Sequence, residues 1–168
     1  MESWRITWRD GFLPAFRGLL DPAALSAGLN ALAVALYNDS PELVQGSTSV
    51  PPPLITCENM PTEAAAAVAF VGWKAGRMFR DADGKTPVRD VEHFFAESCA
   101  LCNGCFTEDA ACRVFLTWFD TTPRDLMRAE LLAELRWNLA AAPDPLHPDG
   151  PGRLARLKPL PERAPPPF

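Results

Sequence analysis

The segment 99-CALCNGCFTEDAAC-112 holds four of the chain's five cysteines, and it opens C-x-x-C-x-x-C. Thiolates at this spacing ligate zinc, with Zn–S of about 2.3 Å, or an iron–sulfur cluster. On one straight helix the second and third thiols would point about 300° and then about 240° around from the first, so Cys99, Cys102 and Cys105 share no face unless the helix ends between them. Asn103-Gly104 supplies such an end, because glycine adopts the left-handed conformation past a helix C-terminus without steric penalty. With that break, Cys99 and Cys102 sit on the last turn of one helix, Cys105 in a loop and Cys112 early in the next helix, and four sulfurs can converge.

The same cysteines also fall where helical periodicity asks for small apolar side chains, and free cysteine is among the most buried residue types. A zinc knuckle uses two separated C-x-x-C pairs. A bacterial ferredoxin places its fourth cysteine after about three residues and follows it with proline, whereas here six residues intervene and no proline follows. The favoured reading is that the cluster fills a helical interior, with no cofactor. The rival is a small zinc or iron–sulfur protein ligated by Cys99, Cys102, Cys105 and Cys112.

Other chemistry is sparse. A cysteine nucleophile needs a base, and the two histidines are His93 and His147. His93 lies about 240° around a helix from Cys99, so the two do not meet. The acid pairs Asp81/Asp83, Glu108/Asp109 and Asp120/Asp125 occupy turns and helix starts, where partial positive charge favours carboxylates. Asp81-Ala82-Asp83-Gly84 resembles part of a calcium loop, but with Gly84 sixth the first ligand position falls on Phe79. Gly46-Ser47-Thr48-Ser49 lacks the preceding strand, the Gly-Lys pair and the following helix of a phosphate-binding loop. A Gly-x-Ser-x-Gly elbow is missing too. The chain therefore reads as non-enzymatic.

The elements that would position these residues announce themselves through a capping residue followed by proline. Asp21-Pro22 opens a helix with Leu25, Leu29, Leu32 and Leu36 on one face, ending near Asn38. Ser40-Pro41 starts a short turn. Residues 45–58 form a long loop containing Pro51, Pro52 and Pro53. Residues 61–76, PTEAAAAVAFVGWKAG, read as a central helix capped by Asn59 or Thr62 and closed by Gly76. Thr86-Pro87 opens a helix to about Cys102 with Val88, Val91 and Phe95 inward. Thr107 begins the next, with Ala111, Val114, Phe115 and Trp118 inward. Thr122-Pro123 opens the last, burying Leu131, Leu132, Leu135 and Leu139 and turning Glu130, Glu134 and Arg136 outward. Short loops make these neighbours antiparallel. Trp4, Ile6 and Trp8 belong to an ordered N-terminal arm.

The expected fold is all-α: a single-domain bundle of about five helices over residues 1–142, with residues 1–14 as the arm. The long proline-containing loop interrupts it, and a Pro-rich extension at 143–168 holds nine of the 18 prolines.

Composition bounds the function. At 168 residues and 48% hydrophobic the chain suits one folded domain. Its net charge is −5; residues 143–168 carry four basic and three acidic groups, leaving −6 on the body. An acidic body repels phosphate, which argues against nucleic acid. The longest apolar run, Ala64–Trp73, is about half a membrane span, and MESWRITWRDGF has no secretion-signal pattern. The expectation is a cytoplasmic protein that meets a protein partner, away from membranes, through helix surfaces and extended segments. Candidate contacts are Trp4, Trp8, Pro51, Pro52, Pro53, Leu157, Pro159 and Pro161.

Overall fold

A computed structural model describes residues 3–46, 49–50, 60–76, 80, 83–106 and 110–141. The order is α1 (Ser3–Ile6), a π-helical segment (Thr7–Phe12), α2 (Leu13–Leu19), α3 (Pro22–Tyr37), β1 (Ser49–Val50), β2 (Ala64–Ala65), α4 (Ala67–Lys74), α5 (Val88–Gly104), α6 (Cys112–Thr121) and α7 (Arg124–Ala141). The described residues are mostly helical, as the sequence indicates.

The N-terminal residues run unbroken from α1 through the π-helical segment into α2 as one wound rod. Trp4, Trp8, Phe12 and Phe16 recur every four residues, a period that a helix widened locally toward π geometry keeps on one face. That face enters the core. Phe115 of α6 is its hub, with ring centroids 5.0 Å from Trp8, 5.4 Å from Phe12 and 6.2 Å from Trp4.

Helix α3 begins as its sequence requires. Asp21 is extended, its carboxylate accepts from Ala24 N at 2.9 Å, and Pro22 fills the first helical position. At the other end Asp39 takes a left-handed φ of 52°, and Ser40 N donates to Ala35 O at 2.9 Å. Two arginines of α7 then cover the remaining carbonyls. Arg128 donates to Leu36 O (2.7 Å) and Tyr37 O (3.0 Å), and Arg124 to Ser40 O (3.2 Å) and Leu43 O (3.0 Å). Cations at a helix C-terminus complement its partial negative charge, so these contacts fasten α7 to α3.

The helix expected over 61–76 starts late. Residues 60–66 are extended: Ala65 N donates to Glu42 O at 2.8 Å, Val44 N to Ala65 O at 3.1 Å, and Thr62 N to Thr86 O at 2.8 Å. Strand β2 pairs antiparallel with β1 in the register Ser49↔Ala65 and Val50↔Ala64. The alanines have high helix propensity, but tertiary hydrogen bonds to backbone on both sides override it, and small side chains let an extended segment lie buried. Helix α4 occupies only Ala67–Lys74, and Gly76 follows at φ 75°.

Helix α4 packs closely on both neighbours. A β-carbon at Gly28 of α3 would collide with Val71 O, and one at Gly72 would collide with the Phe94 ring of α5. Glycine at these crossings lets the backbones approach.

Two sequence expectations for side chains are corrected. Glu134, expected outside α7, is 2% exposed, because Arg5 and Arg9 of the N-terminal rod meet its carboxylate. Val114, expected inward, is 37% exposed; Phe115 and Phe119 define the buried face of α6 instead. The start expected at Thr107 lies outside the described residues; the described helix begins at Cys112.

Candidate functional site

The cysteine cluster sits where α5 ends and α6 begins. Cys102 is fully buried and turned toward the N-terminal rod: a β-carbon at Gly11 would lie 2.5 Å from its Sγ. Cys112 is buried and Cys99 half-buried. Asn103 ties the helices together, its Oδ1 accepting from Cys112 N at 2.8 Å. Cys105 is exposed just past the helix end, and its thiol donates to Leu101 O at 3.4 Å.

Burial, reinforced by neighbouring sulfurs, pushes both inner thiols of α5 up: Cys102 to about 12, and Cys99 further in the same direction. At neutral pH both are thiols, not thiolates. Among the described residues, no group of three or more His, Cys, Asp or Glu side chains is arranged to hold a metal ion. The helix break that the sequence places at Asn103-Gly104 falls one residue later, since α5 runs through Gly104 and Cys105 caps it.

The aromatic contact candidates are spent inside the fold. Trp4 is 3% exposed and stacks on Trp118 at 3.6 Å with an interplanar angle of 8°. Trp8 is 0% exposed. Such stacking and burial leave their rings no face for another protein in this conformation. Pro51, Pro52, Pro53, Leu157, Pro159 and Pro161 lie outside the described residues.

A groove that sequence reasoning missed lies between the C-terminal half of α3 and α4. It encloses about 570 Å³ and is lined by Asn30, Ala31, Val34, Ala35, Asn38, Ser40, Pro41, Glu42, Phe70 and Lys74. This volume falls within the range of about 300–1,000 Å³ usual for binding clefts. The floor is apolar, and Val34 remains 49% exposed. One rim carries an ion pair, Lys74 Nζ to Glu42 Oε2 at 2.9 Å, with the same ammonium 3.8 Å from the Trp73 ring centroid and 5.5 Å from that of Phe70. Held by both a carboxylate and π-faces, Lys74 is a fixed charge at the groove mouth. The signal available in the sequence was small: Val34 is an apolar residue off the leucine stripe of its own helix.

Two acidic groups tie distant elements together. Glu134 is held by Arg9 and Arg5, and Asp39 by Arg124 at 2.7 Å. His93 is 73% exposed at its side chain, 3.5 Å from Glu97 Oε1. Among the described residues no helix is long and apolar enough to cross a membrane.

Comparison with protein families, with curated proteins and with solved structures finds no match to this chain.

Proposed function

We propose that the chain is a non-enzymatic accessory protein that binds another protein through the α3–α4 groove, with its proline-rich segments as additional contacts. One observation carries this reading: an open groove with an apolar floor, an exposed Val34 and a Lys74–Glu42 pair at its mouth. A floor of this kind suits a single apolar anchor, and the Asn38 amide at its edge can bond to the backbone of a bound segment. The acidic body, −6 over residues 1–142, favours basic flanks on that segment. The occupant is thus a short segment of a partner protein with an apolar anchor between basic residues.

Site-specific photo-crosslinking from position 34 in the native cell tests the reading. The expected result is a discrete partner whose purified segment binds the wild-type chain and binds Val34→Glu at least ~10-fold more weakly. Crosslinks unchanged by competing segment, or equal binding to both chains, overturn it. Deleting residues 143–168 measures the share of the tail.

A second reading, zinc or iron–sulfur ligation by Cys99, Cys102, Cys105 and Cys112, is favoured by their C-x-x-C-x-x-C spacing, with the fourth cysteine at the start of α6. It requires Cys105 to leave Leu101 O and turn inward. Metal content and a visible absorption spectrum of the purified chain test it, and metal-free protein with titratable thiols overturns it.

A further inference from the structure

We propose that the outer face of α7 docks a second copy of this chain, helix against helix and antiparallel across a two-fold axis.

Helix α7 buries Met127, Leu131, Leu132 and Leu135 on its inner side. On its outer side Leu126, Ala129, Ala133 and Trp137 follow i, i+3, i+7, i+11 spacing and share an arc of about 80°. All four are exposed. Leu126, at 50%, and Trp137, at 55%, are the two most exposed large hydrophobic side chains among the described residues. Trp137 is also held in place: the Arg9 guanidinium lies 4.1 Å from its ring centroid, and Arg9 is itself anchored on Glu134 at 2.8 Å. An aromatic ring that is fixed yet uncovered loses little freedom on association, which is the property of an interface anchor.

This stripe is complementary to itself when reversed, which selects a second copy as its occupant. With the axis level with Leu131, Ala129 of each copy meets Ala133 of the other, and these small side chains let the helices close up. Leu126 then lies within one residue of Trp137 of the second copy. An antiparallel two-fold also sets each flank of the helix against the same flank of its copy. One flank carries Asp125 near its start and Arg136 near its end, so reversal brings Asp125 within about 1.5 Å, along the axis, of Arg136 of the second copy. Symmetry forms this opposite-charge pair twice. The Asp125 side chain is 66% exposed and 3.5 Å from Arg128 of its own chain. Arg136 has five N–H donors, enough to keep contacts within its chain and bond a copy. Parallel pairing would instead oppose Asp125 with Asp125. Glu130, on the other flank, meets its own copy near the axis, and that like-charge contact weakens the association. A helix face of about three turns also falls short of the roughly 1,200 Å² of a stable interface, so the dimer forms and parts with concentration.

Sedimentation equilibrium of the full-length chain over a range of concentrations tests this, with dithiothreitol present so that cysteines do not link copies. The expected mass rises from that of one chain toward that of two. Ala133→Glu, at an exposed position, should weaken association at least ~10-fold with an unchanged circular dichroism spectrum, and Glu130→Gln should strengthen it. Asp125→Arg and Arg136→Asp should each weaken it, while an equal mixture of these two variants should restore it, because only their mixed antiparallel pair again opposes unlike charges. A chain that stays monomeric at every concentration overturns the proposal. So does association that Ala133→Glu leaves intact, or that Val34→Glu in the α3–α4 groove weakens as much. Should Arg136→Asp fail to fold, Ala133→Glu and Glu130→Gln, both at outer positions of α7, still decide.

Discussion

Arg9 of the π-helical segment and Glu134 of α7, 125 positions apart, form a two-point ion pair, Nε to Oε1 at 2.5 Å and Nη2 to Oε2 at 2.8 Å. Arg5 adds a third contact at 3.3 Å, and the Glu134 side chain is 1% exposed. Removing one member leaves buried charge uncompensated. Glu134→Ala is expected to destabilise the fold by about 3 kcal/mol, read as a lower denaturant midpoint with unchanged slope. A loss below about 0.5 kcal/mol would mean that the pair is only a surface contact.

Acid exposes the same pair. Burial would raise the Glu134 carboxyl, but hydrogen bonds from Arg9, Arg5 and Asn138 and the Arg9 charge outweigh it and hold the group below the ordinary range. The Arg124 hydrogen bond lowers Asp39 likewise. The unfolded chain then binds more protons than the folded one in mild acid. Stability from these groups is complete above the unfolded values of about 3.9 and 4.3, and it is lost as pH falls through the lower folded values. Unfolding free energy should fall below about pH 4, and Glu134→Gln should flatten that fall while retaining the part due to Asp39.

Trp4 tests whether the N-terminal tryptophans are core or contact. Its ring stacks on Trp118 at 3.6 Å and lies 6.2 Å from Phe115. Trp4→Ala should cost about 3 kcal/mol in equilibrium unfolding. An unchanged midpoint would return Trp4 to the list of partner contacts.

The glycines give a contrast of sign. A β-carbon at Gly28 collides with Val71 O, a backbone atom that cannot swing away, so Gly28→Ala should destabilise by about 1–3 kcal/mol despite better helix propensity. At Gly18, on the exposed side of α2, the only close atom is Leu101 Cδ1 at 3.9 Å, and Gly18→Ala should stabilise by about 0.5–1 kcal/mol. Thermal melts of the two variants should move in opposite directions.

Thiol chemistry should be ordered by burial. Cys105 is exposed, whereas Cys102 is 0% exposed with its thiol pushed up to about 12. Iodoacetamide at mildly alkaline pH should label Cys105 first and Cys102 only on unfolding, by at least ~10-fold in rate. Equal rates would show that the end of α5 opens readily.

Much of the local structure was legible in the sequence because it is set by local rules. Asp21-Pro22 dictated where α3 starts and the spacing of Leu29, Leu32 and Leu36 dictated its buried face, while α5 ends within a residue of Asn103-Gly104 although Gly104 stays helical and not left-handed. The all-α character follows from such periodicity. What the tertiary structure decided are the places where distant backbone or charge overrules a local preference. Ala64–Ala65 became a strand because Glu42 and Val44 offered hydrogen bonds that a helix could not match. Glu134 turned inward because Arg5 and Arg9, at the other end of the chain, compensate its charge, and no window of sequence around it contains them. The α3–α4 groove likewise forms between residues that the sequence separates, with Val34 of α3 and Lys74 of α4 both lining it. Helix caps and stripes depend on residues a few positions apart, while pairing, charge compensation and concavity depend on residues that meet only once the chain has folded.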